Sequence, residues 1–165
     1  MDDLSRNFKF IMRQDWGHES DFTSGHYGSI LDELPQTTEE IQQVYHPLVQ
    51  KILLLMRKQP QPTPSNRGQS GAPPFILGIT GGVSVGKSSV ANTLKELLLA
   101  QERELSVEVL STDGFLFTNQ KLLELGIMHR KGFPESFDYS GIVHFLISLK
   151  TSSKKQSVPT YSHTT

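Results

Sequence analysis

The chain has 165 residues, a formal net charge of −1, no cysteine and six histidines. This length suits one domain, and the near-neutral charge supplies no basic field for nucleic acid or an anionic membrane. Without cysteine there are no disulfides, thiolate metal sites or cysteine nucleophiles, which fits a reducing cytosol.

The histidines show no H-E-x-x-H or similar ligand spacing. Met1-Asp2-Asp3-Leu4 lacks the basic and apolar regions of a signal peptide. The longest apolar run, Ile52 to Met56, is too short to cross a bilayer. A cytoplasmic protein with neither membrane nor nucleic-acid partners is expected.

Residues 1 to about 36 mix Phe8, Phe10, Trp16, Phe22 and Tyr27 with polar turns and show no period. Thr37-Thr38-Glu39-Glu40 then reads as a capping box, with Thr37 at the cap and Glu40 three positions on. Ile41, Val44, Tyr45, Leu48, Val49, Ile52 and Leu53 follow at spacings of three and four, one apolar helix face. Pro47 interrupts it, so a kink or break is expected near His46. From Gln59 to Pro74 the composition changes to Pro, Gln, Ser, Asn and Gly, an extended surface connection. The chain divides accordingly into an N-terminal helical region (1–58), a Pro-rich connection (59–74) and a core (75–165).

That core opens with Phe75-Ile76-Leu77-Gly78-Ile79-Thr80, which reads as a short buried strand. Gly81-Gly82-Val83-Ser84-Val85-Gly86-Lys87-Ser88 matches G-x-x-x-x-G-K-[ST], and a helix is predicted from Ser88 to about Ala100. Strand, glycine-rich turn and helix are the context in which this motif cradles phosphates. The glycines let backbone N–H groups converge on one anion, and the helix N-terminus adds about half a positive charge there. Lys87 can reach the outer phosphates of a bound ATP, and Ser88 can offer its hydroxyl to Mg2+. The predicted cradle comprises Gly81, Gly82, Val83, Ser84, Val85, Gly86, Lys87, Ser88 and Ser89, with Lys87 also catalytic.

A second strand over Val107, Val109 and Leu110 ends at Ser111-Thr112-Asp113-Gly114. Strand, helix, strand makes one right-handed crossover, so the expected fold is α/β, a P-loop NTPase-like parallel sheet with flanking helices. Asp113 then lies past the carboxyl end of a strand, where open α/β sheets bind ligands. A carboxylate there can take the proton of an attacking hydroxyl or bind magnesium through water; the plain alternative is an Asp-Gly turn.

Asn119 to Leu125 reads as a short helix stopped by Gly126, and Gly132-Phe133-Pro134 as a turn. Asp138 is the predicted cap of a helix carrying Ile142, Val143, Leu146 and Ile147, followed by a polar loop over 150–159. His129-Arg130-Lys131 either neutralises phosphoryl charge or is an ordinary solvated surface, two readings of equal standing.

Four blocks occur in order: Gly78 to Ser88, Ser111-Thr112-Asp113-Gly114-Phe115-Leu116, Lys131-Gly132-Phe133-Pro134-Glu135-Ser136-Phe137-Asp138, and Tyr161-Ser162-His163. Together they closely resemble bacterial type I pantothenate kinase. The spacer Asn119 to Gly126, Arg13-Gln14-Asp15-Trp16 and the run Glu39 to Leu48 look like the same family.

The resemblance implies phosphorylation of pantothenate by MgATP, the first step of coenzyme A synthesis. Lys87 and Ser88 would bind phosphates and magnesium, and Asp113 would be the base or orienting group for the pantothenate hydroxyl. Lys131 would sit near the phosphates, with Tyr161 and His163 lining the pantothenate region. It also implies a homodimer inhibited by coenzyme A, although Asn92 stands where family members carry a basic residue.

The family pattern continues past Tyr-Ser-His, whereas Thr164-Thr165 stand here, so the resemblance is to the N-terminal half of a kinase, a truncated form. Two strands alone would leave both sheet edges unpaired. The apolar faces of the P-loop helix and of the 142–147 helix would then lack part of their cover. Alternatives are another P-loop small-molecule kinase, of the uridine kinase or phosphoribulokinase kind, and a nucleotide-binding remnant or half of a split kinase.

Overall fold

The computed structural model describes residues 27–59, 73–152 and 154–160. Phe8, Phe10, Trp16, Phe22, most of the Pro-rich connection, Tyr161 and His163 lie outside the described residues. Two compact units divide the rest: one joins the residues up to Gln59 with Leu77–Val109, the other joins Ile76 and its preceding residues with Leu110 onward.

The first unit is helical. A turn at Tyr27 leads into α1 (Ile30–Glu33), and then α2 (Thr38–Glu40) starts on the predicted capping box. The Glu40 amide donates to Thr37 Oγ1 at 3.2 Å and the Thr37 amide donates to Glu40 Oε2 at 2.9 Å, satisfying two otherwise orphan donors. A π-helical turn over Ile41–Tyr45 follows, and α3 (His46–Arg57) continues from it with Pro47 in its first turn.

In place of the kink or break expected near His46, the helical run continues unbroken from Thr38 to Arg57 through this widened turn. Proline has no N–H and its ring crowds the carbonyl four residues back, so the backbone widens by one residue per turn. The His46 amide accordingly donates to the Ile41 carbonyl, five residues back.

Beyond the P-loop, α4 runs from Lys87 to Gln101, close to its predicted span. It packs on α3. Ile41, Val49, Ile52, Leu53, Leu94, Leu97 and Leu98 are buried and form the core of the unit. Thr93 Oγ1, also buried, donates to Gln36 Oε1 at 2.7 Å and fastens α4 to the residues ahead of α2. The N-terminal helices thus cover Leu94, Leu97 and Leu98, while Val90 and Leu99 of the P-loop helix are only half-buried.

The second unit is built on turns. A 3₁₀ turn over Thr112–Phe115 precedes α5 (Asn119–Glu124), which Thr118 caps through the Lys121 amide at 3.2 Å. Gly126, at φ +69°, ends that helix as predicted. Short 3₁₀ turns cover Met128–Arg130 and Pro134–Ser136, and α6 spans Tyr139–Thr151. Asp138 caps α6 by accepting from the Gly141 amide at 2.9 Å, as expected.

No residue of α6 is buried; Val143, Leu146 and Ile147 are exposed and, with Ile76, line an apolar groove. For this helix the expected lack of cover is observed.

Among the described residues the expected parallel sheet is not formed. Residues 75–80 and 107–110 have no ladder, and the one bridge among the described residues is an isolated antiparallel one between Leu116 and Phe137. A parallel strand needs a hydrogen-bonding neighbour and cover on both faces. Here Leu77 is 44% exposed and Leu110 49% exposed, so neither segment has that cover. An apolar run in the sequence records a tendency to be buried; the ladder itself has to come from a partner strand.

Candidate functional site

The P-loop lies in the helical unit. Gly86 adopts φ +86°, the left-handed conformation that glycine tolerates, and so turns the chain into α4 as its N-cap. Gly86 brings no side chain to the helix start, so the first-turn amides face outward without a capping oxygen. Ser84 is also left-handed, at φ +58°.

Lys87 folds back over the loop, its Nζ donating to the Gly81 carbonyl at 3.1 Å and to the Gly82 carbonyl at 2.5 Å. A Cβ on Gly81 would stand 3.1 Å from Val85 Cγ2, so the absence of a side chain keeps this curl tight. Val83, Val85, Ser88 and Ser89 are exposed. The arrangement places an ammonium, a helix N-terminus and an exposed first-turn hydroxyl on one short loop, a donor set suited to phosphate oxygens and their cation.

Asp113 and Lys131 lie in the second unit. Ser111 caps the 3₁₀ turn, its Oγ accepting from the Asp113 amide at 3.2 Å, and the Leu116 amide donates to the Asp113 carbonyl at 3.1 Å. The Asp113 side chain is exposed.

The two most distinctive motifs meet here. The Phe117 amide donates to the Ser136 carbonyl at 2.9 Å and the Asp138 amide to the Phe115 carbonyl at 2.8 Å. These bonds join the Thr-Asp-Gly-Phe turn to the end of Lys-Gly-Phe-Pro-Glu-Ser. The Phe115 and Phe145 rings, 5.7 Å apart, pin the turn to α6.

Within the second motif, Ser136 is fully buried; its Oγ accepts from the Gly132 amide at 2.9 Å and donates to the Phe133 carbonyl at 2.7 Å. The basic group divides in two. Arg130 pairs with Glu135 and lies over the Phe133 ring at 4.0 Å, so its charge is used within the turn. A hydrogen bond from its own backbone, and then Arg130, hold the Glu135 carboxyl below the ordinary carboxylate range. Lys131 is half-buried and donates from Nζ to Asn119 Oδ1 at 2.7 Å.

Sequence reasoning missed Ser111, Ser136, Thr93 and Gln36. Ser111 had a readable signal, a serine two residues before an Asp-Gly pair. The Thr93–Gln36 bond spans 57 positions and leaves no local signal.

Similarity to known proteins covers almost all of this chain. A pantothenate kinase of Enterococcus faecalis is 36% identical over 173 aligned positions, which take in 99% of this chain and 56% of that protein. A pantothenate kinase of Vibrio cholerae is 50% identical over 94 positions, covering 57% of this chain and 30% of its own. Over nearly its whole length, then, the chain is similar to part of known pantothenate kinases.

It spans about half the length of the curated relatives it matches. A pantothenate kinase of Vibrio vulnificus, 40% identical over 133 positions, is matched over 43% of its length. No family model matches the chain.

Among the described residues no helix is long and apolar enough to cross a membrane. No group of three or more histidines and carboxylates among them could hold a metal ion.

Proposed function

We propose that this chain carries the phosphate cradle and the acceptor-activating turn of a cytoplasmic pantothenate kinase, which transfers the γ-phosphoryl group of MgATP to the pantothenate hydroxyl. The observation that carries this reading is the 36% identity to a pantothenate kinase across 99% of the chain. The ammonium of Lys87 above the loop at Gly81 and Gly82 supports it.

In this reading Lys87 exchanges its loop carbonyls for β- and γ-phosphate oxygens, and first-turn amides complete the cradle from Gly81 to Ser89. Ser88 offers its hydroxyl to Mg2+, and Lys131 neutralises charge near the phosphates. The pantothenate oxygen attacks the γ-phosphorus; the new P–O bond forms as the bond to ADP breaks, and Asp113 orients the hydroxyl and takes its proton. Tyr161 and His163 contact pantothenate. Inhibition by coenzyme A and assembly as a homodimer belong to the same reading, with Asn92 the position to vary for the former. The parallel sheet expected of the α/β P-loop fold belongs to it as well.

A second reading is a nucleotide-binding half that needs further polypeptide before it turns over. The exposed apolar face of α6 favours it.

Pantothenate-dependent ADP formation from MgATP by the chain as written separates the two. Turnover that needs pantothenate supports the first. ADP binding without turnover supports the second. Loss of both would reject the phosphate-cradle assignment for this polypeptide.

A further inference from the structure

Asp-Gly pairs usually carry glycine because the turn needs a positive φ, but Gly114 is not among the glycines with one. The turn over Thr112–Phe115 would accept an ordinary residue there on backbone grounds. The constraint comes from elsewhere in the chain.

A Cβ placed on Gly114 would clash with the Pro159 carbonyl oxygen and would stand 2.7 Å from the Pro159 carbonyl carbon and 3.4 Å from the Thr160 nitrogen. All three atoms are backbone, so no side chain can swing aside to make room. The Pro159–Thr160 backbone therefore crosses directly over the Asp113 turn.

The turn is also held by the Leu116–Phe137 bridge and by the Phe115–Phe145 contact. Ser111 holds the Asp113 amide from within.

We propose that Gly114 is a positioning residue for Asp113: a notch that seats the Pro159–Thr160 backbone and clamps the turn between that segment and α6. The functional weight of this proposal rests on the reading of Asp113 as the acceptor of the pantothenate proton. The clamp itself stands on the backbone crossing alone. Because the contact is made by the Pro159 carbonyl, the proline ring is dispensable and the missing Cβ on Gly114 is not.

The test uses the full chain, labelled for NMR. In the unsubstituted protein, Gly114 Hα should show a nuclear Overhauser contact to the Thr160 amide; its absence overturns the crossing whatever any variant does. Gly114→Ala should shift the amide signals of Asp113 and Thr160 while leaving those of 88–101 in place, and Pro159→Ala should leave both sets in place. Unmoved Asp113 and Thr160 signals in Gly114→Ala also overturn the proposal.

Where the chain binds pantothenate, Gly114→Ala should weaken that affinity at least about tenfold with ADP affinity unchanged; equal loss of both means a general structural defect and rejects a positioning role. A chain that binds no pantothenate counts against the proposed function, while the NMR pattern still decides the clamp.

Discussion

The Tyr27 hydroxyl lies 2.6 Å from Nδ1 of His46, with the two rings edge-on at 5.7 Å between centroids. Both residues are buried. This pair joins the turn ahead of α1 to the first residue of α3, and it sits in the helical unit that also carries the P-loop. Replacing the hydroxyl leaves a buried ring nitrogen short of this partner, so Tyr27→Phe should cost about 1–3 kcal/mol, read by urea denaturation.

Burial pushes the Tyr27 phenol above its ordinary range, with a hydrogen bond to Gln101 pulling the other way. A folded value above the unfolded one means that the neutral phenol's contribution is complete below the ordinary tyrosine range. It is lost as pH rises through the raised value. Stability curves of wild type and Tyr27→Phe should therefore converge in alkali. Parallel curves would show that the phenol titrates alike in the folded and unfolded states, with no shift on folding.

Leu97 is fully buried between α4 and the N-terminal helices. Leu97→Ala should destabilise the first unit by about 2–5 kcal/mol, the range for a buried leucine truncation. A loss well below this range would mean that α3 does not cover the P-loop helix.

Glu135 and Arg130 test the second unit through pH. The depressed Glu135 carboxyl contributes stability above the ordinary carboxylate range, and that contribution fades as pH falls through its lowered value. Glu135→Gln should melt slightly below wild type at neutral pH, with the gap closing on acidification. A gap that stays constant with pH would remove the Arg130 pair from the stability of this turn.

Lys87→Ala should weaken ADP and ATP binding about 10- to 100-fold, the worth of one or two charge-assisted hydrogen bonds. Calorimetric titration with each nucleotide checks this, and unaltered affinity would sink the cradle assignment.

Asp113→Ala should lower pantothenate-dependent turnover by about 10²- to 10⁴-fold, the range for a lost general base, with ATP affinity retained. Steady-state kinetics give the separation; equal kcat in the variant would take Asp113 out of the chemistry.

Local features were legible in the amino-acid order because their causes are local. The Thr37–Glu40 box, the stop at Gly126 and the Asp138 cap each depend on residues within five positions. The P-loop was legible for the same reason: Gly86 and Lys87 act within a few residues of each other.

What tertiary structure alone decided are pairings between distant residues. The cover of α4 by the N-terminal helices, the Thr93–Gln36 bond and the meeting of the Asp113 turn with the Ser136 turn join segments with no shared local pattern. The two apolar runs at 75–80 and 107–110 mark the limit of sequence reading. β-structure is a relation between strands, so such runs state a need for cover and a partner without naming either. The glycine after Asp113 makes the same point: its identity is plain in the sequence, but its reason is the backbone of Pro159, 45 residues further along.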